Sequence, residues 1–251
     1  MKMTIIESDV KLAERLATEA GEILLGLQAG SGLTGKDLGK AGDEQANTFL
    51  MRALKAARPD DAVLSEEEKD DINRCSVRRA WIVDPLDGTR EYGEGRTDWA
   101  VHVALSIDGV ATVGAVALPG LGLTLTSGAP QPLKPAGTPL RMLVSRTRPA
   151  REALAVAEAF GADLVPMGSA GAKAMAVVRG EADIYLHTGG QYEWDNCAPI
   201  AVAQAAGLHV SRVDGSPLVY NCADPYLPDL LICRAELAER VLALVAALLE
   251  T

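Results

Sequence analysis

The sequence predicts a layered sandwich of helices and sheets, α+β in its first half and α/β in its second. Three observations predict it. Two amphipathic helical patterns open the chain, short apolar runs separated by Asp-Gly and Pro-Gly turn signals follow, and strand-like and helix-like segments alternate from residue 141 onward. At 251 residues the chain can bury a substantial core as one large domain or two modest ones. Aromatics make up only 4% of it, so alanine, leucine and valine must fill most of that core.

The first helix is expected between Ser8 and Leu27, where Leu12, Leu16, Ala20, Ile23, Leu24 and Leu27 recur at three- and four-residue spacing and Ser8 or Asp9 is placed to cap. A glycine-rich stretch, residues 30–42, should interrupt. A second helix then runs through Ala46, Phe49, Leu50, Ala53, Leu54 and Ala57 and ends before Pro59, with Asp43 at its amino-terminal edge. Residues 62–64 and 80–83 read as strands that each deliver carboxylates at the carboxyl end: Glu66, Glu67 and Glu68 from one, Asp84 from the other. Residues 99–107, 111–118 and 121–126 read as antiparallel strands. The segment 128–139 holds four prolines and two glycines, which marks it as a connection between an amino-terminal α+β domain, 1–130, and a carboxy-terminal α/β domain, 138–251. Strands at 141–145, 163–165 and 183–186 and helices at 151–160, 173–178 and 198–206 follow. A last helix, 235–249, is apolar enough to pack rather than project.

A net charge of −10 argues against a nucleic-acid polymer, which demands clustered Lys and Arg. It would also repel a phosphorylated substrate unless bound cations reverse the local sign. The cysteines Cys75, Cys197, Cys222 and Cys233 lack CxxC spacing, the amino terminus lacks a signal-peptide pattern, and no run of about 18 apolar residues occurs. A cytoplasmic protein with reduced thiols, away from membranes, is expected.

The chemistry concentrates in Asp84-Pro85-Leu86-Asp87-Gly88-Thr89, where an apolar strand ends in two carboxylates three residues apart. Proline fixes the turn between them and glycine permits close approach of a ligand. Two such carboxylates suit a hard cation such as Mg²⁺, and the Leu86 carbonyl is a further oxygen donor. Asp-Gly by itself favours a surface turn, but such a turn needs neither Trp81-Ile82-Val83 feeding it nor acidic clusters at Glu66 and Asp195 to complete a site.

Ser65-Glu66-Glu67, the segment Trp81-Ile82-Val83-Asp84-Pro85-Leu86-Asp87-Gly88-Thr89 and the later Trp194-Asp195 resemble the three signature motifs of the inositol monophosphatase superfamily of magnesium-dependent, lithium-sensitive phosphatases. The resemblance spans nearly the whole chain and implies the sugar-phosphatase-like sandwich. It also implies two or three Mg²⁺ ions: Glu66, Asp84 and the Leu86 carbonyl would hold one, while Asp84, Asp87 and Asp195 would hold a second. Thr89, paired with Asp43, and Glu66 would be the catalytic residues. Glu66, Leu86, Asp87, Gly88, Thr89 and Asp195 would also face the substrate phosphate. Ala41 stands where the family commonly has threonine, and a helix N-cap is the alternative role for Asp43. Relatives are often dimers, but the sequence shows no decisive interface.

Within the superfamily, Arg90-Glu91-Tyr92, Val144-Ser145-Arg146-Thr147 and Gly168-Ser169-Ala170-Gly171-Ala172-Lys173 resemble elements of the CysQ-type 3′(2′),5′-bisphosphate nucleotidases. That implies hydrolysis of adenosine 3′,5′-bisphosphate, a by-product of sulfate activation, to AMP, with Ser145, Arg146, Ser169 and Lys173 near a second phosphate. Inositol-1-monophosphatase or fructose-1,6-bisphosphatase activity is the alternative, and a non-catalytic metal-binding protein of the same fold is the alternative of another class. His102, His187 and His209 read as structural.

Overall fold

The computed structural model describes residues 7–249; the first six residues of the amino terminus that was searched for a signal peptide lie outside them. Helices α1 (Asp9–Gly30) and α2 (Gly35–Ala57) open the chain. Strands β1 (Ala62–Ser65), β2 (Arg79–Asp87), β3 (Ala100–Ile107), β4 (Val110–Leu118) and β5 (Leu123–Thr126) form one sheet in that order, with the short helix α3 (Thr89–Gly93) after β2. The second half supplies β6 (Arg141–Ser145), α4 (Arg151–Phe160), β7 (Asp163–Met167), α5 (Ala170–Val178) and β8 (Ile184–His187). It continues with β9 (Gln191–Tyr192), α6 (Glu193–Ala205), β10 (His209–Ser211), β11 (Tyr226–Leu227), β12 (Leu230–Cys233) and α7 (Ala238–Leu249). A second sheet has the order β10-β12-β8-β6-β7, and β9 and β11 form a separate ribbon.

Five layers result, because both sheets are apolar on both faces. Along β2, Trp81 and Val83 pack with α1 and α2, whereas Ile82 joins the core shared with α5, α6 and the second sheet. In the second sheet, Leu143, Tyr185 and Ile232 face that shared core, while Met142, Val144, Ile184, Leu186 and Leu231 face α4 and α7. Helices α5 and α6 therefore lie between the sheets. Among the described residues no helix is long and apolar enough to cross a membrane.

Strand β1 runs parallel to β2 while β3, β4 and β5 are antiparallel, so the carboxyl ends of β1 and β2 deliver Glu66 and Asp84 at the same sheet edge, as the sequence predicts. Three expectations need correction. Helix α2 begins at Gly35, before the predicted break ends, so Asp43 lies inside the helix and does not cap it. Its glycines persist because neighbours come too close for a side chain: a Cβ at Gly39 would stand 2.7 Å from the Thr89 methyl, and one at Gly42 2.9 Å from the Tyr92 ring. Helices α5 and α6 start three and five residues earlier than predicted, which places Asp195 in the first turn of α6. The short strands β9 to β12 were not anticipated. The proline-rich connection is irregular, but the Asp183 carboxylate accepts from the Gly137 N–H at 3.1 Å and so ties it to the second sheet.

Gly114 of β4 lets α6 approach the first sheet: a Cβ there would stand 2.4 Å from the backbone oxygen of Ala198. Because backbone cannot yield as a side-chain tip can, Gly114→Ala is expected to lower stability by about 1–3 kcal/mol. Denaturant unfolding of the variant checks this.

Candidate functional site

The site forms where the carboxyl ends of β1 and β2 meet the amino ends of α5 and α6. Asp84, Asp87 and Asp195 can each place one oxygen within 4.8 Å of the others. Asp84 is 1% exposed and its Oδ1 accepts from the Leu86 N–H at 3.0 Å, which turns the chain so that Asp87 follows on the same side. Gly88, at φ 90°, then reverses into α3; this left-handed backbone favours glycine, and a Cβ would stand 3.1 Å from Ser169. Asp195 sits at the third position of α6 and accepts from the Tyr192 N–H at 2.6 Å.

The carboxylates differ in what neutralises them. Burial, together with the charges of Glu66, Asp87 and Asp195, holds the Asp84 carboxyl well above the ordinary range. Burial and the charges of Asp195 and Asp43 raise Glu66 to about 7. Burial and the nearby Asp87 raise Asp195 to about 6. Asp87 is the exception. Burial opposes its ionisation too, but His102, Ser169 and the Gly171 N–H outweigh it and hold the group at about 2. Ser169 Oγ donates to Asp87 at 2.5 Å, and the Ala170 and Gly171 N–H groups at the start of α5 donate at 3.1 and 2.6 Å. His102 Nε2 lies 3.2 Å from Asp87 Oδ2, with Nδ1 2.9 Å from the Trp194 carbonyl. No Lys, Arg or His pairs with Asp84 or Glu66 among the described residues. The donor set is all oxygen, and His102 beside Asp87 is the one cationic side chain paired with it among the described residues, so it fits a hard divalent cation.

Thr89 Oγ1 lies 3.4 Å from Asp43 Oδ1 and 3.1 Å from the Leu86 carbonyl, so its single proton has two acceptors. Burial and the Glu67 charge raise Asp43 to about 7. A hollow of about 770 Å³ opens beside this pair, lined by Lys36, Lys40, Glu67 and Arg90. On the other side of Gly88 is a cleft of about 580 Å³. Asp87 and Asp195 line part of its wall, and Arg90, Glu91, Ser145, Arg146, Arg148, Ser169 and Tyr192 are among the residues that line other parts.

The structure does not bring Lys173 to this cleft. Its ammonium is buried, donating to the Gly168 and Ser169 carbonyls and lying 5.3 Å from the Tyr185 ring centroid, so it orders the 168–169 loop from behind. Arg146 does line the cleft, but Glu91 and Glu94 already take its guanidinium at 2.6 and 3.0 Å. Ser145 lines the cleft and accepts from the Arg148 N–H at 3.2 Å. Sequence reasoning missed Arg148, which faces the cleft with no acidic partner among the described residues. It also missed the contact of His102 with Asp87. A buried histidine on β3 across from Asp84 was the available signal for it. His187 and His209 make only local bonds, to the Gly190 carbonyl and the Ser211 hydroxyl.

The sequence profile of the inositol monophosphatase family matches residues 3–250. The chain belongs to this family. It is 52% identical over 243 residues to a Mycobacterium tuberculosis protein named 3′-phosphoadenosine 5′-phosphate phosphatase, covering 91% of this chain and 90% of the relative. It is 30% identical over 199 residues to the Escherichia coli 3′(2′),5′-bisphosphate nucleotidase CysQ, covering 74% of this chain and 81% of that one. The crystal structure of CysQ from Bacteroides thetaiotaomicron shares the fold, with a TM-score of 0.76 at 24% identity over 90% of this chain and 97% of that one. Members of the family are metal-dependent, in keeping with the acidic cluster.

A buried carboxylate cluster with more acidic groups than cationic partners destabilises the fold that carries it. In the presence of chelator, Asp84→Asn is expected to raise the melting temperature, by about 2–4 °C per kcal/mol relieved. The same variant should lose most of the further rise that a divalent cation gives the native chain. Thermal melts with chelator and with cation measure both effects.

Proposed function

We propose that this chain is a Mg²⁺-dependent phosphomonoesterase of the 3′(2′),5′-bisphosphate nucleotidase kind, removing the 3′-phosphate of adenosine 3′,5′-bisphosphate to leave AMP. The observation that carries the reading is the division of one cleft between a buried carboxylate cluster and an arginine-bearing wall. One end suits a phosphate bridged by cations, the other a second phosphate. The names of the 52% and 30% identical relatives support the same substrate class.

In this proposal Glu66, Asp84 and the Leu86 carbonyl would hold one Mg²⁺, and Asp84, Asp87 and Asp195 would hold another. The bound cations supply Lewis-acid polarisation of the phosphoryl oxygens and lower the pKa of water. The chain's own residues do the rest. Thr89 Oγ1, with Asp43 behind it, orients the attacking water and passes its proton toward Asp43 Oδ1. A base held near neutrality suits that transfer, and Asp43 is raised to about 7. The Gly88 and Thr89 amides face the phosphate being cleaved. Ser169 holds Asp87 in place and lines the cleft beside it. Arg148, with Ser145 and Arg146, takes the second phosphate. In this proposal an amino-terminal domain, 1–130, carries most metal ligands and a carboxy-terminal domain, 138–251, carries Asp195 and the second-phosphate contacts. We place the activity in the cytoplasm.

Turnover of adenosine 3′,5′-bisphosphate, inositol 1-phosphate and fructose 1,6-bisphosphate should be compared side by side with Mg²⁺, with chelator and with lithium. The nucleotide should be preferred, and both chelator and lithium should suppress the rate. Equal or better turnover of inositol 1-phosphate would sink the nucleotidase reading. Glu66→Gln should lower kcat by roughly a hundredfold or more while the fold persists. Arg148→Ala should raise KM about tenfold for the bisphosphate and leave a monophosphate little changed, since one charge-assisted bond is lost.

A further inference from the structure

Aromatic side chains are scarce in this chain: three Trp, five Tyr and two Phe. Only Tyr192 and Tyr226 among them are exposed, at 45% and 48%; Tyr192 lines the cleft and Tyr226 stands beside it on the neighbouring strand. Lone exposed rings are ordinary, but two placed side by side at a binding cleft are not.

Both rings are held. Tyr192 pairs with Tyr226 across the β9–β11 ribbon, their ring centroids 5.9 Å apart at 75°. Behind, Tyr192 stacks on Trp194, with centroids 4.7 Å apart and planes within 8°. Gly190, at φ +80°, makes room for Tyr226, since a Cβ there would stand 2.5 Å from the tyrosine hydroxyl. Gln191 between them is buried, bonded to the Tyr185 hydroxyl and to Asn196. The Tyr192 N–H bonds Asp195, so the ring begins one residue's reach from the carboxylate cluster. Tyr192 lines the same cleft as Asp87, Gly88 and Arg148.

We propose that Tyr192, backed by Trp194 and edged by Tyr226, is the stacking platform for the planar base of a nucleotide substrate, and hence the residue that selects nucleotides over sugar or inositol phosphates. The inference rests on the nucleotidase reading. With the phosphates anchored between the carboxylate cluster and the arginine wall, the base is the part of the substrate left to cover an apolar ring at the lip. Stacking uses the π-face that every base has, so the platform admits adenine and guanine alike.

The test uses Tyr192→Ala and Tyr192→Phe, with the 3′,5′-bisphosphate of adenosine as substrate and AMP and ribose 5-phosphate as competitive inhibitors. Alanine should raise KM for the nucleotide about tenfold, with kcat changed by less than about twofold, and weaken AMP by a similar factor. Ribose 5-phosphate, which lacks the base, should inhibit native and variant enzyme equally, and phenylalanine should restore native behaviour. An unchanged KM, or equal weakening of AMP and ribose 5-phosphate, overturns the platform, the second outcome marking a merely structural role. Failure of the nucleotidase reading would instead show in the native enzyme as no turnover of the nucleotide, and would take this inference with it.

Discussion

Burying an ionised carboxylate without a compensating cation costs several kcal/mol, and this chain buries Asp84 beside Glu66, Asp87 and Asp195. The rest of the site can be understood as the framework that forces these groups together. Strand β2 is covered on both faces, so its carboxyl end cannot move to relieve the repulsion. The Leu86 N–H pins Asp84, and the amino ends of α5 and α6 lock Asp87 and Asp195. Repulsion is thus stored in the fold and becomes available for binding a cation.

Asp87 shows how selectively this is done. Its carboxylate is satisfied by the start of α5, by Ser169 and by His102, so it stays charged at any working pH. Asp84 and Asp195 have one backbone donor each, not enough to offset the burial that raises both along with Glu66. Against the overall acidity of the chain, a poor surface for phosphate, the cleft wall sets Arg148, while its Arg90 and Arg146 are paired with Glu91 and Glu94.

Much of this was legible in the sequence where the cause is local. The run from Trp81 to Thr89 declares a buried strand ending in carboxylates, and periodicity located α1 and the long strands. Asp43 was misplaced because Gly39 and Gly42 read as helix breakers. In fact they are contact points for Thr89 and Tyr92, partners some fifty residues away that no local pattern reveals. Lys173 was assigned to phosphate because its charge is visible in sequence while its burial is not. Arg148 went unassigned for the converse reason: its importance lies in facing a cleft built by four separate segments. The β9–β11 ribbon is two residues deep, too short for any alternation to register.

The central claim is that protons, in the absence of a cation, relieve the repulsion within the cluster. Glu66 and Asp195, raised to about 7 and about 6, hold protons below those values and must lose them to coordinate a cation, so affinity weakens as pH falls through this window. Calorimetric titration with Mg²⁺ at about pH 6.5, repeated in buffers of different ionisation enthalpy, counts the protons released. Release of protons on binding, diminishing as pH rises while affinity rises, is the predicted result. Binding that releases no proton and is insensitive to pH across this range would contradict the account.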